Sequence, residues 1–265
     1  MQTQINNFSM AYSDQGSGLP IVLIHGYPLN RHIFDPQSEA LSQHARIITP
    51  DLRGHGESQS VTGPYSMDLL AQDVAALLDQ LHISEPVILG GLSMGGYITF
   101  AFYRLYPGRV KGLILTATRA AADTPQAREA RQQAVETARR QGIAAIVQSM
   151  LPKLMSPHSL EMRPELVESV QAIMNTTSLE GVLGDLAAMA ARPDSTPTLP
   201  TIRVPTLVLH GAQDSLIPSA EAQAMQQAIP NAQLEVIEDA GHLPTLETPV
   251  VYNQAVLQFM KQFNG

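Results

Sequence analysis

Short apolar, β-branched runs alternate along the chain with stretches whose apolar positions recur every three to four residues. The runs predict strands over residues 21–25, 46–49, 86–90, 110–115, 206–210 and 233–237, with a weaker edge strand over 5–12. Between them, Leu70, Val74, Leu77, Leu78 and Leu81 share one helical face, behind a candidate N-cap at Ser66 and with Asp68 in the first turn. Thr248-Pro249 predicts another helix start, with Pro at the first helical position and the helix running to Phe263. Strands alternating with helices in this way predict an α/β fold with a mainly parallel central sheet flanked by helices.

The alternation fails over residues 119–200. This region holds no strand pattern and reads as several helices rich in Ala, Gln, Met and Arg. Strand patterns precede and follow it, so it is expected to be a helical insertion in a core made of residues 1–118 and 201–265. The Pro- and Thr-rich segment 192–200 reads as the loop that returns the chain to that core. No internal repeat interrupts the pattern.

Composition narrows the partners. With 44% apolar residues in 265, the chain can bury a large core, and with no Trp that core is aliphatic, Met, Phe and Tyr. The net charge of -8 argues against a nucleic-acid partner, since no surplus of Lys and Arg is present to neutralise phosphates. The absence of Cys removes disulfides, thiol nucleophiles and thiolate metal sites, and fits a reducing compartment. The opening residues lack the charged start and apolar stretch of a signal peptide, and no apolar run reaches the ~20 residues of a membrane helix. A cytoplasmic protein without a membrane partner is the expectation; the oligomeric state is left open.

The candidate chemistry begins at Gly91-Leu92-Ser93-Met94-Gly95, a G-x-S-x-G match. Alone it is weak, because Gly and Ser at ordinary usage produce it in roughly one chain of this length in ten. Its setting strengthens it, since an apolar strand runs into it and a helix-like stretch from Met94 to Tyr106 leaves it. A nucleophile at the tip of so tight a turn needs small neighbours on both sides, which Gly91 and Gly95 supply. A serine hydroxyl also needs a base. His242, in Ala240-Gly241-His242-Leu243-Pro244, follows the last strand and precedes the last helix. Asp214 lies four residues past the preceding strand. Both therefore fall at the carboxyl edge of the sheet, where ligands bind in open α/β folds. Ser93 as nucleophile, His242 as base and Asp214 as acid are the expected triad. His25, His55 and His210 lie near strand ends and are expected to be structural hydrogen bonders. Asp123 is the rival acid, Asp239 a loop-stabilising carboxylate, and Asp51 the tie of a turn.

Acyl chemistry also needs N–H donors for a developing oxyanion. The backbone N–H groups of Met94 and of Tyr27, in His25-Gly26-Tyr27-Pro28, are the candidates; Pro28 has no N–H. The runs 25–28, 51–58, 91–96, 211–214 and 241–242, in this order over nearly the whole chain, resemble the successive motifs of the α/β-hydrolase superfamily. The Gly-Leu-Ser-Met-Gly-Gly elbow is similar to that of small carboxylesterases and 3-oxoadipate enol-lactonases. Epoxide hydrolases and haloalkane dehalogenases share the His-Gly-x-Pro loop but carry Asp at the position of Ser93. Prolyl aminopeptidase-like members usually have Trp where this chain has Met94.

The resemblance implies an α/β-hydrolase fold with residues 119–200 as a helical cap, and hydrolysis of small carboxylic esters or lactones through an acyl-enzyme on Ser93. Hydrolysis of a carbon–carbon bond or an enol-lactone by the same triad is the alternative, with incidental perhydrolysis compatible with the elbow. A ligand receptor on the same fold would be expected to lack a triad member. No cofactor or metal is implied, as no His/Asp/Glu cluster has ligand spacing. Met150, Leu151, Met155, Met174, Leu179 and Met189 are candidates for the pocket wall, since Met adapts to differently shaped groups. Residues 119–200 carry eight basic and nine acidic side chains, so a small neutral ester or lactone with a short-to-medium acyl chain is the expected partner.

Overall fold

The computed structural model describes residues 1–263. Its eight strands form one sheet in the order β1-β2-β4-β3-β5-β6-β7-β8. The strands are β1 (Gln2–Ile5), β2 (Phe8–Gln15), β3 (Pro20–Ile24), β4 (Arg46–Pro50), β5 (Val87–Leu92), β6 (Val110–Thr116), β7 (Thr206–Gly211) and β8 (Ala232–Ile237). From β4 to β8 every pairing is parallel; only β1 and β2 run against their neighbours.

The expected single edge strand over 5–12 is a hairpin instead. Ile5 faces Phe8 across a two-residue turn in which Asn6 takes φ 44° and donates to Asp73 at 2.7 Å. Asn tolerates this left-handed conformation because its short polar side chain bonds locally.

Strands β3, β5, β6 and β7 are buried almost throughout, as parallel strands covered on both faces must be. Their side chains alternate between two cores. Val22, Ile24, Leu89 and Leu113 join one with α2 (Met67–Gln80) and α3 (Met94–Leu105). Ile21, Leu23, Ile88 and Ile114 join the other with α11 (Pro249–Met260) and α1 (Asp35–Leu41). The period of two in a strand produces this division. Helix α2 is capped as expected: Ser66 Oγ accepts the Leu69 N–H at 3.1 Å. Helix α11 stops at Met260, and a 3-10 turn, Lys261–Phe263, follows it.

Between β6 and β7 the described residues hold helices α4 (Pro125–Gln141), α5 (Ile143–Leu154), α6 (Pro157–Met162), α7 (Pro164–Asn175) and α8 (Leu179–Ala191). Side-chain oxygens of Thr124, Ser156 and Ser178 cap α4, α6 and α8. The α7–α8 junction rests on the core loops. Ser178 N–H donates to Gly54 O at 2.8 Å and Thr177 Oγ1 to Pro28 O at 3.0 Å. Gly54, at φ 77°, lies so close to Gly181 that a Cβ on either would collide with the other's backbone. Beneath them His55 Nε2 sits 3.0 Å from Asp185 of α8, with both side chains fully buried. No helix among the described residues is long and apolar enough to cross a membrane.

Candidate active site

Ser93 stands at the bend between β5 and α3 with φ 56° and ψ -113°, a strained conformation for a residue with a Cβ. The neighbours hold it there. Ser93 N–H donates to Thr116 O at 2.9 Å, and its carbonyl accepts from Gly96 N–H at 2.9 Å and Thr118 Oγ1 at 2.8 Å. A Cβ on Gly91 would strike the Gly95 backbone, and one on Gly95 would strike the Ile24 carbonyl. The glycines therefore let strand and helix approach closely enough for the turn to exist.

Asp214 and His242 come from the loops after β7 and β8, which lie side by side in the sheet. Helix α9 (Ser219–Ala228) and β8 occupy the sequence between them, so both loops emerge at the same edge. His242 Nδ1 lies 2.7 Å from Asp214 Oδ2, and both side chains are buried. Asp214 Oδ1 accepts the N–H groups of Leu216 at 2.8 Å and Ile217 at 3.0 Å. Burial pushes the Asp214 carboxyl up, but His242 and these two backbone donors outweigh it and hold the pKa below the usual carboxylate value. An ionised Asp214 fixes the His242 proton on Nδ1 and leaves Nε2 free as an acceptor. Ser93 and His242 line the same pocket, of about 200 Å³. No hydrogen bond joins Ser93 Oγ to His242 Nε2 among the described residues, a link that in ligand-free enzymes often tightens only on binding.

Met94 opens α3, so its N–H has no partner within the helix. Tyr27 N–H also lacks a main-chain partner among the described residues, and the Tyr27–Pro28 peptide bond is cis. Gly26 lies against Leu92 and Ser93, which brings the loop after β3 beside the elbow.

The pocket wall departs from expectation. Of the six apolar residues named from the sequence, Met150 and Met189 line the pocket, beside Tyr97, Leu216 and Ile217. Met155 and Met174 are buried in the core with Leu154, Val170 and Ile173; Leu151 packs against that cluster and Leu179 against the other. A helix pattern marks a buried face but not what buries it. The balanced charge of 119–200 also conceals a local asymmetry, because Arg119, Asp123 and Arg131 all line the pocket.

The rival residues have other work. Asp123 pairs with Arg131 and, at 2.5 Å, with Arg192. Burial raises its pKa, but the two guanidiniums outweigh this and hold it low. His25 Nδ1 meets Gly26 O at 2.9 Å, and Nε2 accepts Leu52 N–H at 3.0 Å. Burial, aided by nearby His55, pushes its pKa well down and keeps it neutral for that role. His55 lies against Asp185 through Nε2 and meets Arg53 O through Nδ1 at 3.0 Å. His210 is buried with neither ring nitrogen paired, and burial lowers its pKa. Asp51 accepts N–H groups from Arg31 and Glu57 at 2.8 and 2.9 Å and pairs with Arg31, tying the 51–58 loop. Asp239 is exposed.

One residue escaped the sequence reading. Buried Glu247, in α10 (Pro244–Glu247), accepts N–H groups from Gly241 at 2.8 Å and Leu243 at 3.3 Å, on either side of His242. Its other oxygen accepts Ser156 N–H at 2.8 Å. An acidic residue five positions past His242, amid otherwise apolar and hydroxyl side chains, was the available signal.

Comparison with known proteins places the fold. The model of the alpha/beta hydrolase fold matches residues 20–249. The chain is 37% identical to 3-oxoadipate enol-lactonase 2 of Acinetobacter baylyi over 82% of this chain and 79% of that one. Among solved structures, a thermophilic esterase from Thermogutta terrifontis with malate bound superposes with a TM-score of 0.96 at 41% identity, over 99% of this chain and 98% of that one. The enol-lactonase of Burkholderia xenovorans superposes with a TM-score of 0.91 at 29% identity, over 98% of this chain and 100% of the other. This chain, with its parallel sheet and its serine at the strand–helix elbow, belongs to the alpha/beta hydrolase fold family.

Proposed function

We propose that Ser93, His242 and Asp214 act as nucleophile, base and acid, with the Tyr27 and Met94 N–H groups as the oxyanion hole. The chain is a hydrolase of carboxylic esters or lactones, in keeping with its esterase and enol-lactonase relatives. The observation that carries the triad is the 2.7 Å His242–Asp214 pair beside a serine at φ 56°, with base and nucleophile lining one pocket.

Ser93 Oγ attacks the substrate carbonyl carbon while His242 Nε2 takes its proton. Asp214 stabilises the imidazolium and keeps the ring oriented. The carbonyl oxygen becomes an oxyanion, for which the Tyr27 and Met94 N–H groups serve as backbone donors. Collapse expels the alcohol, protonated by His242, and leaves an acyl ester on Ser93. Water, activated by the same imidazole, then releases the acid. In a lactone the alcohol stays tethered to the acyl group until this second step frees both together.

Helices α4–α8 are read as a cap over the pocket, since Met150, Met189 and Arg131 reach it from them. The small pocket supports short-to-medium acyl groups. The Cys-free composition supports work in a reducing compartment such as the cytoplasm. The test is turnover of p-nitrophenyl acetate and of a simple lactone, with an organophosphonate label mapped by mass spectrometry. Label on Ser93 and loss of both activities are expected; label on another serine would displace the assignment.

A further inference from the structure

The α7–α8 junction of the insertion grips the loop after β3 on the side away from the pocket. That loop closes as a turn, with Leu29 N–H donating to Gly26 O at 2.9 Å and with Tyr27 and Pro28 at its centre. Gly26 lies against Leu92 and Ser93, so the turn stands beside the nucleophile. Pro28 is buried, and a buried carbonyl needs a donor. Among the described residues that donor is Thr177, itself 3% exposed, whose Oγ1 lies 3.0 Å from Pro28 O. Two residues on, Asn30 Nδ2 donates to Thr176 Oγ1 at 2.9 Å, while Asn30 Oδ1 accepts the His32 N–H at 2.9 Å. Two consecutive threonines thus hold the turn at Pro28 and Asn30.

The support behind those threonines is firm. Val170, Ile173 and Met174 of α7 are buried in one core with Leu29, Ile33 and Phe34, and Ser178 N–H is bonded to Gly54 O. Helix α4 differs, since Ala138 alone of its residues is buried. The part of the insertion that touches the turn is therefore the part anchored to the core. The Pro28 ring fixes its φ, so its carbonyl cannot swing without moving the neighbouring peptides. If it turned away to find another donor, the Gly26–Tyr27 peptide, which carries the Tyr27 N–H, would tilt with it. A donor to an oxyanion must stand at about 2.7–3.1 Å from that oxygen, so a small tilt weakens it.

We propose that Thr177, assisted by Thr176, is a positioning residue for the oxyanion hole, fixing the Pro28 carbonyl and through it the direction of the Tyr27 N–H. The inference rests on ester or lactone hydrolysis at Ser93 with Tyr27 N–H as an oxyanion donor. It gives the insertion a second task besides covering the pocket, since one of its side chains sets the geometry of the reaction without touching substrate.

The test measures kcat and KM on p-nitrophenyl acetate for Thr177→Val, Thr177→Ser and Thr176→Val, together with inhibition by trifluoroacetone. Ser93 Oγ adds to the carbon of that ketone, His242 takes the serine proton, and the hemiketal oxygen is left as an anion in the oxyanion hole. Thr177→Val keeps the shape and removes the hydroxyl. Its kcat should fall about tenfold or more with KM little changed, a part of the roughly 10²–10³ that loss of a whole oxyanion donor costs. Affinity for trifluoroacetone should fall in proportion, and Thr177→Ser, which keeps the hydroxyl, should restore both. Thr176→Val, at an exposed position, should shift both in the same direction by less. Wild-type kcat in a folded Thr177→Val protein would overturn the proposal, as would a lowered kcat with unchanged inhibitor affinity. Should Thr177→Val fail to fold, Thr176→Val decides, and wild-type values in it overturn the proposal. Those outcomes leave ester hydrolysis standing. A wild type that cleaves no ester or lactone and binds no trifluoroacetone would sink that reading and the positioning role together.

Discussion

Glu247 accepts the backbone N–H of Gly241 at 2.8 Å, and through this bond the end of α10 grips the loop that carries His242. The same carboxylate takes Leu243 and Ser156, so one buried group ties the His242 loop to the helical insertion. Glu247→Gln preserves shape but sets an amide N–H against a backbone N–H. Leaving such a donor unsatisfied costs about 1–3 kcal/mol. At roughly 2–4 °C per kcal/mol for a chain of this size, the melting temperature should fall by roughly 2–12 °C. The imidazole should also lose its orientation, so kcat should fall more than KM rises. Unchanged kcat in a variant with a lowered melting temperature would confine Glu247 to stability.

The positions of Ser93, Asp214 and His242 at one edge of the sheet were legible because each lies in a local motif whose neighbours show its setting. Ser93 follows an apolar run and lies between glycines, while Asp214 and His242 each follow a strand within a few residues. The grip of Glu247 was not legible, because accepting three N–H groups leaves no spacing pattern. The β1–β2 hairpin did leave one, the Asn6-Asn7 pair between apolar alternations, a short-turn signal that a single strand over 5–12 overrides. Composition and the lack of a strand pattern predicted several helices in the insertion, but their bounds and their orientation over the sheet are not written in either. Met174 and Met150 therefore looked alike in the sequence, although one is core and the other pocket wall.

Ser93→Ala should lower kcat by about 10⁴–10⁶ without unfolding the protein. Asp214→Asn should cost about 10⁴, because an amide at this position favours the wrong imidazole tautomer. Steady-state rates on p-nitrophenyl acetate, with circular dichroism to check folding, decide both. A Ser93→Ala enzyme with a tenth of wild-type activity would remove Ser93 from the mechanism.

Gly95→Ala should prevent the elbow from forming. The added methyl meets the Ile24 carbonyl, backbone on a central strand that has no room to retreat. Gly108→Ala, with open space around its Cβ position, is the control and should leave expression and melting temperature near wild type. A soluble, active Gly95→Ala protein would contradict the close strand–helix approach.

Asp123→Asn should destabilise rather than disable chemistry directly, because Asp123 serves Arg131 and Arg192 and not His242. Breaking a buried ion pair from one side costs about 3–5 kcal/mol. The sign with pH follows from the lowered folded pKa. The stabilisation is fully present above the unfolded Asp value of about 4, and is lost as pH falls through the folded value. The wild-type and variant melting temperatures should therefore differ most near neutrality and converge in acid. A constant gap from pH 7 down to pH 3 would mean that the carboxylate charge carries none of the effect.

Met150→Ala and Met174→Ala should separate pocket from core. Met174 is fully buried among Val170, Ile173 and Leu154, so truncation leaves a cavity and should cost about 2–5 kcal/mol. Its effect on substrate preference should be small, since it does not line the site. Met150 is half-buried and lines the catalytic pocket, so its truncation should cost less stability and enlarge the space above Ser93. The measurement is a chain-length series of p-nitrophenyl esters alongside thermal melts of both variants. Met150→Ala should move the optimum to longer acyl groups by lowering KM for them, and Met174→Ala should lower the melting temperature with the optimum unmoved. If both variants shift the optimum alike, the core methionine reaches the substrate through repacking and the wall cannot be divided as the structure divides it. If neither does, selectivity resides in the side chains closer to Ser93, with Tyr97 and Ile217 the next to truncate.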